Sequence, residues 1–197
     1  MTPWLILLGS KRHILREIFH DESNPFYGFG TDVEFKEIPQ SEWVPYMKER
    51  FGSVGLTIEE EGVLEICRLM RNVPNSIQEL CQWIVLSGET GRLDIPSIHE
   101  DLVSLIENKS GRYMEKMGEF SAKEKKVLLA LAQQEPISSI ASTRFVQLAG
   151  VSATATKATV ARFVEQGLLD RCETDYLMTD PIFRLFLLRK FGLDQKG

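Results

Sequence analysis

The amino-acid sequence predicts a mostly α-helical protein, and two observations carry that prediction. From Ser41 onward, apolar residues recur at the three- and four-residue spacings of amphipathic helices. Two Ser/Thr-x-x-Glu patterns, Thr57–Glu60 and Ser121–Glu124, have the residue types that close the first turn of a helix. Patterns typical of strands are short, and they occur only in the first 40 residues and after residue 166.

The first 40 residues are predicted to form a strand, a helix and a second strand. The continuous apolar run Pro3–Gly9 is typical of a strand covered on both faces, as in parallel sheets. A helix is predicted over Lys11–His20, and the alternating segment Val33–Ile38 has the pattern of a half-buried strand. Two strands do not make a stable sheet by themselves, so we expect further strands to complete this one.

Residues 41–117 are predicted to form a helical region. The expected helices begin at a Ser41 cap, at the capping box Thr57–Glu60 and at Pro74 in a first turn, and continue over Ile95–Glu107 and Arg112–Met117.

Residues 118–197 predict a winged helix. Helices are expected over 123–133, 141–149 and 153–166, with a tight turn at Gly150–Ser152. A strand, a polar turn at Glu173–Asp175 and a second strand follow, and a last helix closes the core with Phe183, Phe186 and Leu187. Three helices with helix-turn-helix spacing followed by a hairpin are the elements of that fold.

Composition and motifs exclude several classes of function. The 43% of hydrophobic residues is typical of a globular protein, and no apolar run approaches the roughly 18 residues of a membrane span. Three distant cysteines (Cys67, Cys81 and Cys172) without metal-ligand spacing favour a reduced, cytoplasmic protein. GxxxxGK[ST], GxSxG and HExxH are all absent, and the histidines are scattered, so no metal site is predicted. We therefore expect the chain alone to be inactive as an enzyme.

Charge decides how much can be expected of nucleic-acid binding. Residues 118–197 contain 11 basic and 9 acidic residues, whereas residues 1–117 contain 12 and 19. The winged helix is thus mildly basic but lacks a dense Lys/Arg stripe, so it can serve either weak DNA binding or a protein contact. The candidates on its predicted recognition helix are Thr154, Thr156, Lys157 and Arg162.

Four segments together resemble prokaryotic ATPases of the AAA+/STAND superfamily, the archaeal-type ATPases. They are LLGSKRHILREIFHDESNPFY, NVPNSIQELCQWI, FSAKEKKVLLALA and ARFVEQGLLDRCETDYLMTDPIFRLFLLR. The resemblance implies that residues 1–40 are a strand-helix-strand remnant at the end of an α/β ATPase core. It further implies that 41–117 are the helical lid and 118–197 the winged helix.

The same resemblance implies a nucleotide site. Ser10 matches the sensor-1 position, although the local sequence supports a helix N-cap equally well. Pro74 matches the lid proline of the GxP motif, with Asn72 in place of its glycine. Phe29 stands where an arginine often follows the corresponding loop of that family, and Arg12, Arg16 or a residue upstream could supply the charge of that arginine. The ligand implied is ATP with Mg²⁺, and the P-loop and Walker B acid are expected upstream of Met1.

Three functions follow as hypotheses. The first is a nucleotide-dependent switch in which an upstream ATPase core binds ATP, so that the chain is an ATPase only when joined to that core. The second is a DNA-binding winged-helix regulator, and the third is a protein-interaction adaptor. Homo-oligomerisation is a further option, because the apolar strand Pro3–Gly9 needs a cover.

Overall fold

A computed structural model describes residues 18–29, 31, 37–88, 90–172 and 174–193. The chain divides into two compact units, Met1–Glu37 and Ile38–Gly197. In the first unit, residues 18–20 are helical and turns follow. Phe26 contacts Phe19 and Phe29, with ring centroids 6.4 and 6.3 Å apart. The predicted strand Pro3–Gly9 and most of Val33–Ile38 lie outside the described residues.

The second unit is mostly helical, which confirms the predicted fold class. Its described elements, in chain order, are α1 (Gln40–Gly52), β1 (Leu56–Ile58), α2 (Glu60–Leu69), α3 (Pro74–Leu86), β2 (Gly91–Leu93), α4 (Ile95–Gly118), α5 (Ala122–Gln134), α6 (Thr143–Ala149), α7 (Ala153–Glu165), β3 (Leu169–Cys172), β4 (Asp175–Met178) and α8 (Pro181–Lys190).

The capping box expected at Thr57–Glu60 is wrong. Leu56–Ile58 is strand β1, which pairs in parallel with β2, Leu56 opposite Gly91 and Ile58 opposite Leu93. The helix begins later, with Glu59 at the N-cap position and no side-chain cap. Leu56 and Ile58 are each 2% exposed, so burial of these two side chains and the pairing with β2 decided the conformation against the local signal.

Two further details of the helical region differ from the prediction. Helix α1 starts one residue before Ser41, with Pro39 as its N-cap, so Ser41 does not cap it. The two stretches expected at Ile95–Glu107 and Arg112–Met117 are one helix, α4, which starts with a capping box at Asp94. The predicted first-turn position of Pro74 is confirmed.

The elements predicted after residue 118 are all present. Ser121 caps α5 with both hydrogen bonds of the capping box, and Gly150 ends α6 in the left-handed conformation, φ 59°. Strands β3 and β4 pair in antiparallel register, and β4 also bridges to Ile137 before helix α6. The core of this region is built on three aromatic side chains with no exposed surface: Phe145, Phe163 and Phe183.

Candidate functional site

Asn72 lies in the connection between α2 and α3, which we call the α2–α3 loop, residues 70–73, and Pro74 directly follows this loop. The loop begins with a Schellman ending of α2: the amide of Asn72 donates to the Cys67 carbonyl at 2.8 Å and that of Arg71 to the Arg68 carbonyl at 3.1 Å. Arg71 and Asn72 both have left-handed backbones, with φ 50° and 56°. Asparagine tolerates this conformation better than most residues, which accounts for Asn72 at a position where the related motif has glycine.

The side chain of Asn72 fixes the loop to the start of the second unit. Its Nδ2 donates to the Ile38 carbonyl at 2.8 Å. Pro74 is the first residue of α3 and is exposed, whereas Ser76 and Ile77 on the following turn are buried. The loop therefore presents Pro74 to solvent at the amino end of a helix that is itself held in the core.

The side chain of Arg71 joins this loop to the winged helix. Its Nη2 donates to the carbonyl of Met178 in β4, and Nη1 forms an ion pair with the carboxylate of Glu135 at the end of α5. Glu135 is 3% exposed and also pairs with Arg184 of α8, at 3.4 Å from Nε. Burial away from water lowers the pKa of Arg71 to about 10, and the nearby positive charge of Arg184 is the second largest cause. We call these three residues the Arg71–Glu135–Arg184 cluster.

A second polar contact, between α4 and the start of α8, lies nearby. The hydroxyl of Tyr113 in α4 donates to Oδ2 of Asp180 at 3.0 Å. Asp180 in turn caps α8, because its Oδ1 accepts the amides of Ile182 and Phe183 at 2.9 and 3.0 Å. Burial, and then the negative charge of Asp180, raise the pKa of Tyr113, so the phenol stays protonated and remains a donor.

A polar groove of about 850 Å³ opens beside the α2–α3 loop, between α3 and α4. It is lined by Lys109, Arg112 and Lys116 on the basic side, and its acidic lining residues are Glu79, Glu115, Glu119 and Asp180. Lys109 pairs with Glu79 at 2.6 Å, and the amine of Lys116 lies 5.1 Å from the ring centroid of Phe183. Because four acidic residues face three basic ones and two of the cations are engaged, the groove does not favour an anion.

The four predicted nucleic-acid candidates on the recognition helix α7 differ in exposure and in ion pairing. Thr154 and Lys157 are exposed, as expected. The placement of Thr156 on the outer face is wrong: it is fully buried, and its hydroxyl lies 3.4 Å from the Val151 carbonyl. Arg162 is 45% exposed, but its guanidinium pairs with Glu124.

The position of Thr156 could have been read from the sequence. Thr156 lies four residues before Val160 and seven before Phe163, both buried on the inner stripe of the same helix.

The β3–β4 hairpin contributes a basic side chain that the sequence reasoning missed. This is Arg171, whose guanidinium lies 5.8 Å from the centroid of the Tyr176 ring.

Several predicted site residues lie outside the described residues: Ser10, Arg12 and Arg16. Within the described part, no group of three or more His, Cys, Asp or Glu side chains is arranged to hold a metal ion. Among the same residues, no helix is both long and apolar enough to cross a bilayer. The groups brought together around the α2–α3 loop bind and position one another, and they include no nucleophile with an adjacent base.

Sequence reasoning missed the three residues of the Arg71–Glu135–Arg184 cluster and the Tyr113–Asp180 contact. Asp180 followed by Pro181 is a helix-start signal that could have identified the cap. Nothing local links Arg71 to a carboxylate 64 positions later, and only the packed structure brings them together.

Comparisons with known proteins place the C-terminal region in a fold class. Residues 111–189 match a family model described as a probable winged helix domain, which confirms the predicted winged helix. The match begins inside α4, so this long helix belongs partly to the helical region and partly to the winged helix. Winged helices are used to bind DNA or proteins.

A solved structure extends the similarity to most of the chain. The Walker-type ATPase of Pyrococcus abyssi matches with a TM-score of 0.62 and 19% sequence identity, over 91% of this chain and 51% of that one. At this identity the match shows a shared fold, and this chain spans about half the length of the archaeal structure. A search of curated proteins found no match.

Proposed function

We propose that this chain is the C-terminal part of an ATPase-like switch of the AAA+/STAND type. In this proposal residues 1–40 end an α/β core, residues 41–117 form its lid, and residues 118–197 form the winged helix. ATP with Mg²⁺ is bound by a core whose P-loop precedes Met1. The similarity of fold to a Walker-type ATPase over 91% of the chain supports this assignment.

The observation that carries the proposal is that two side chains of the α2–α3 loop make long-range contacts: Asn72 with the Ile38 carbonyl, and Arg71 with the winged helix. Asn72 and Pro74 are the proposed nucleotide contacts, and Arg71, directly before them, pairs with Glu135 and the Met178 carbonyl of the winged helix. A displacement of the loop by nucleotide would therefore act on the winged helix through one side chain. Such a direct contact is what a switch needs to pass a change from one site to another.

The remaining proposed roles concern the N-terminal segment. Ser10, as sensor-1, would act on the γ-phosphate or the attacking water, and Arg12 or Arg16 would supply positive charge to the transferring phosphoryl group. Phe29 has no charge and cannot do so.

The DNA-binding alternative receives less support from the recognition helix. With Thr156 buried and Arg162 paired to Glu124, Lys157 is the remaining basic candidate among the four. Sequence-selective DNA binding at physiological salt, measured by fluorescence anisotropy, would revive this alternative.

The proposal is tested by measuring ATP binding and turnover of two proteins. The 197-residue chain alone should bind little ATP and hydrolyse none, because its sequence contains no GxxxxGK[ST] motif to cradle the β- and γ-phosphates. Joined to an upstream core with GxxxxGK[ST], it should do both. In that protein Asn72→Ala should raise the Kd of ATP several-fold, and Ser10→Ala should lower kcat with little change in affinity.

Glu100→Ala, on the exposed face of α4, is the matched control and should change neither quantity. ATP turnover by the 197-residue chain itself would contradict the proposal. A Ser10→Ala protein that unfolds instead of slowing would assign Ser10 to the helix cap.

A further inference from the structure

The two ion pairs of the Arg71–Glu135–Arg184 cluster differ in what they connect. Glu135 and Arg184 both lie within residues 111–189, so their 3.4 Å contact is internal to the winged helix. Arg71 is the member of the cluster that comes from the helical region. Its side chain is 25% exposed, whereas the Glu135 carboxylate is 3% exposed. Arg71 can therefore move toward water while Glu135 stays buried and keeps an arginine partner.

The backbone around Arg71 needs an external restraint. Two consecutive non-glycine residues, Arg71 and Asn72, have left-handed φ values, a conformation that persists only where surrounding contacts enforce it. Besides the Schellman hydrogen bonds of the backbone, the side chains that enforce it are Asn72, bonded to the Ile38 carbonyl, and Arg71, in contact with Met178 and Glu135. Loss of the Arg71 contacts leaves Asn72 as the remaining side-chain restraint of these two.

The charges make release of Arg71 feasible. Two guanidinium groups share one carboxylate, so Arg71 and Arg184 repel each other across Glu135. If Arg71 leaves, Glu135 and Arg184 remain as a matched pair. The buried Glu135 carboxylate thus keeps a cationic partner when Arg71 leaves, so this contact can open without leaving that charge unpaired.

We propose that Arg71 is a releasable clamp: bound to Glu135 and Met178, it holds the α2–α3 loop in its left-handed conformation and fixes the winged helix to it, and when released it frees both. Arg71 is a positioning residue in this device, because it acts through Asn72 and Pro74. Its regulatory meaning rests on the proposed function, in which these two residues contact nucleotide. The clamp itself can be tested without nucleotide. A failure of the clamp can therefore be told apart from a failure of the proposed nucleotide function.

Hydrogen exchange of the full 197-residue chain, read by mass spectrometry, tests the clamp. In Arg71→Met, the hydrogen-bonded amides within residues 71–77, those of Arg71, Asn72, Val73 and Ile77, should exchange about tenfold faster than in the unmodified chain, since they lose the restraint on their own turn. These amides are protected by bonds such as Val73 to the Met70 carbonyl at 3.0 Å. Exchange in β3 and β4 should stay unchanged, because Glu135 keeps Arg184.

A conservative and a matched variant complete the experiment. Arg71→Lys keeps the charge but replaces the two separate nitrogens that contact Met178 and Glu135 with a single ammonium, so its exchange rate at 71–77 should fall between those of the other two proteins. Arg68→Met, one helical turn earlier, removes an exposed pair with Glu65 and should leave residues 71–77 unchanged. Since Arg71→Lys retains charge, it serves as the test if Arg71→Met does not fold.

Two results would overturn the clamp. One is unchanged exchange at 71–77 in the Arg71 variants. The other is acceleration of equal size at 71–77 and across β3 and β4, which would mean that Arg71 contributes only to global stability.

Discussion

The helical region, Gln40–Gly118, and the winged helix that follows it differ in how well local sequence signals determine their structure. In the winged helix, the capping box at Ser121–Glu124 and the turn glycine Gly150 lie where their residue types predict. In the helical region, an equally good box at Thr57–Glu60 does not form, because its first two residues belong to strand β1. The difference is that Leu56–Ile58 can pair with a segment 35 residues later, and that pairing outweighs a cap.

This comparison shows when a capping signal should be trusted. A capping box contributes about 1 kcal/mol, which is less than the burial of two aliphatic side chains in a packed core. At Ser121 the cap forms as the residue types predict. At Thr57 the two flanking residues, Leu56 and Ile58, are buried and paired with β2, and this favours a strand. The alternating buried-exposed-buried pattern at 56–58 is the stronger signal of the two.

The largest expected effect comes from the contact between the two regions. Glu135→Gln removes the buried carboxylate between Arg71 and Arg184 and leaves two partly buried guanidinium groups without it, so the free energy of unfolding should fall by about 3 kcal/mol. Urea unfolding followed by circular dichroism measures the change. Glu107→Gln removes the exposed pair with Arg189 and is the control, expected within about 0.5 kcal/mol of the unmodified chain.

Gly62→Ala tests the packing of β1 against α2. Alanine normally stabilises a helix interior relative to glycine by about 1 kcal/mol. Here an added Cβ would lie 2.9 Å from Cγ1 of Ile58 and 3.3 Å from Cδ1 of Ile98, so we expect a net loss of about 1–2 kcal/mol. A rise in Tm would contradict the placement of β1. Gly111→Ala, with open space around its Cβ, should instead stabilise α4.

The two capping boxes give a direct test of the comparison. Ser121→Ala removes an observed cap and should cost about 1 kcal/mol. Thr57→Ala removes no cap, because Thr57 lies exposed in β1, and should cost less than about 0.5 kcal/mol. Equal losses in thermal unfolding would mean that the local signal at Thr57 matters after all.

The smallest effect concerns the pH dependence of an ion cluster within the helical region. Bidentate bonds from Arg68, with a further contact from His99, lower the pKa of Glu65 to about 2 despite partial burial. Since the folded-state pKa lies below the ordinary value of 4.5, the stabilisation is present above pH 4.5 and is lost as the pH falls toward 2. Glu65→Gln should abolish that part of the pH dependence, which urea midpoints between pH 5 and 2 would measure.

What the sequence determined by itself is the part of the molecule with short-range causes. Helical periodicity, Pro74 in a first turn, the Ser121 cap and the hairpin after Gly167 each depend on residues within a few positions, and each is present. Thr156 shares a local stripe with Val160 and Phe163, which are buried in α7, so the same short-range pattern could have placed Thr156 inside.

What only the tertiary structure decided are the contacts between distant segments. The parallel pairing of β1 with β2, the continuity of α4 through Gly111, and the meeting of Arg71 with Glu135 have no local signature. The candidate site followed the same division: Asn72 and Pro74 were named from their own segment, whereas the side chain that anchors them was not. Long-range contacts are selected by burial and charge pairing summed over the whole fold, and this sum cannot be read from any one window of the chain.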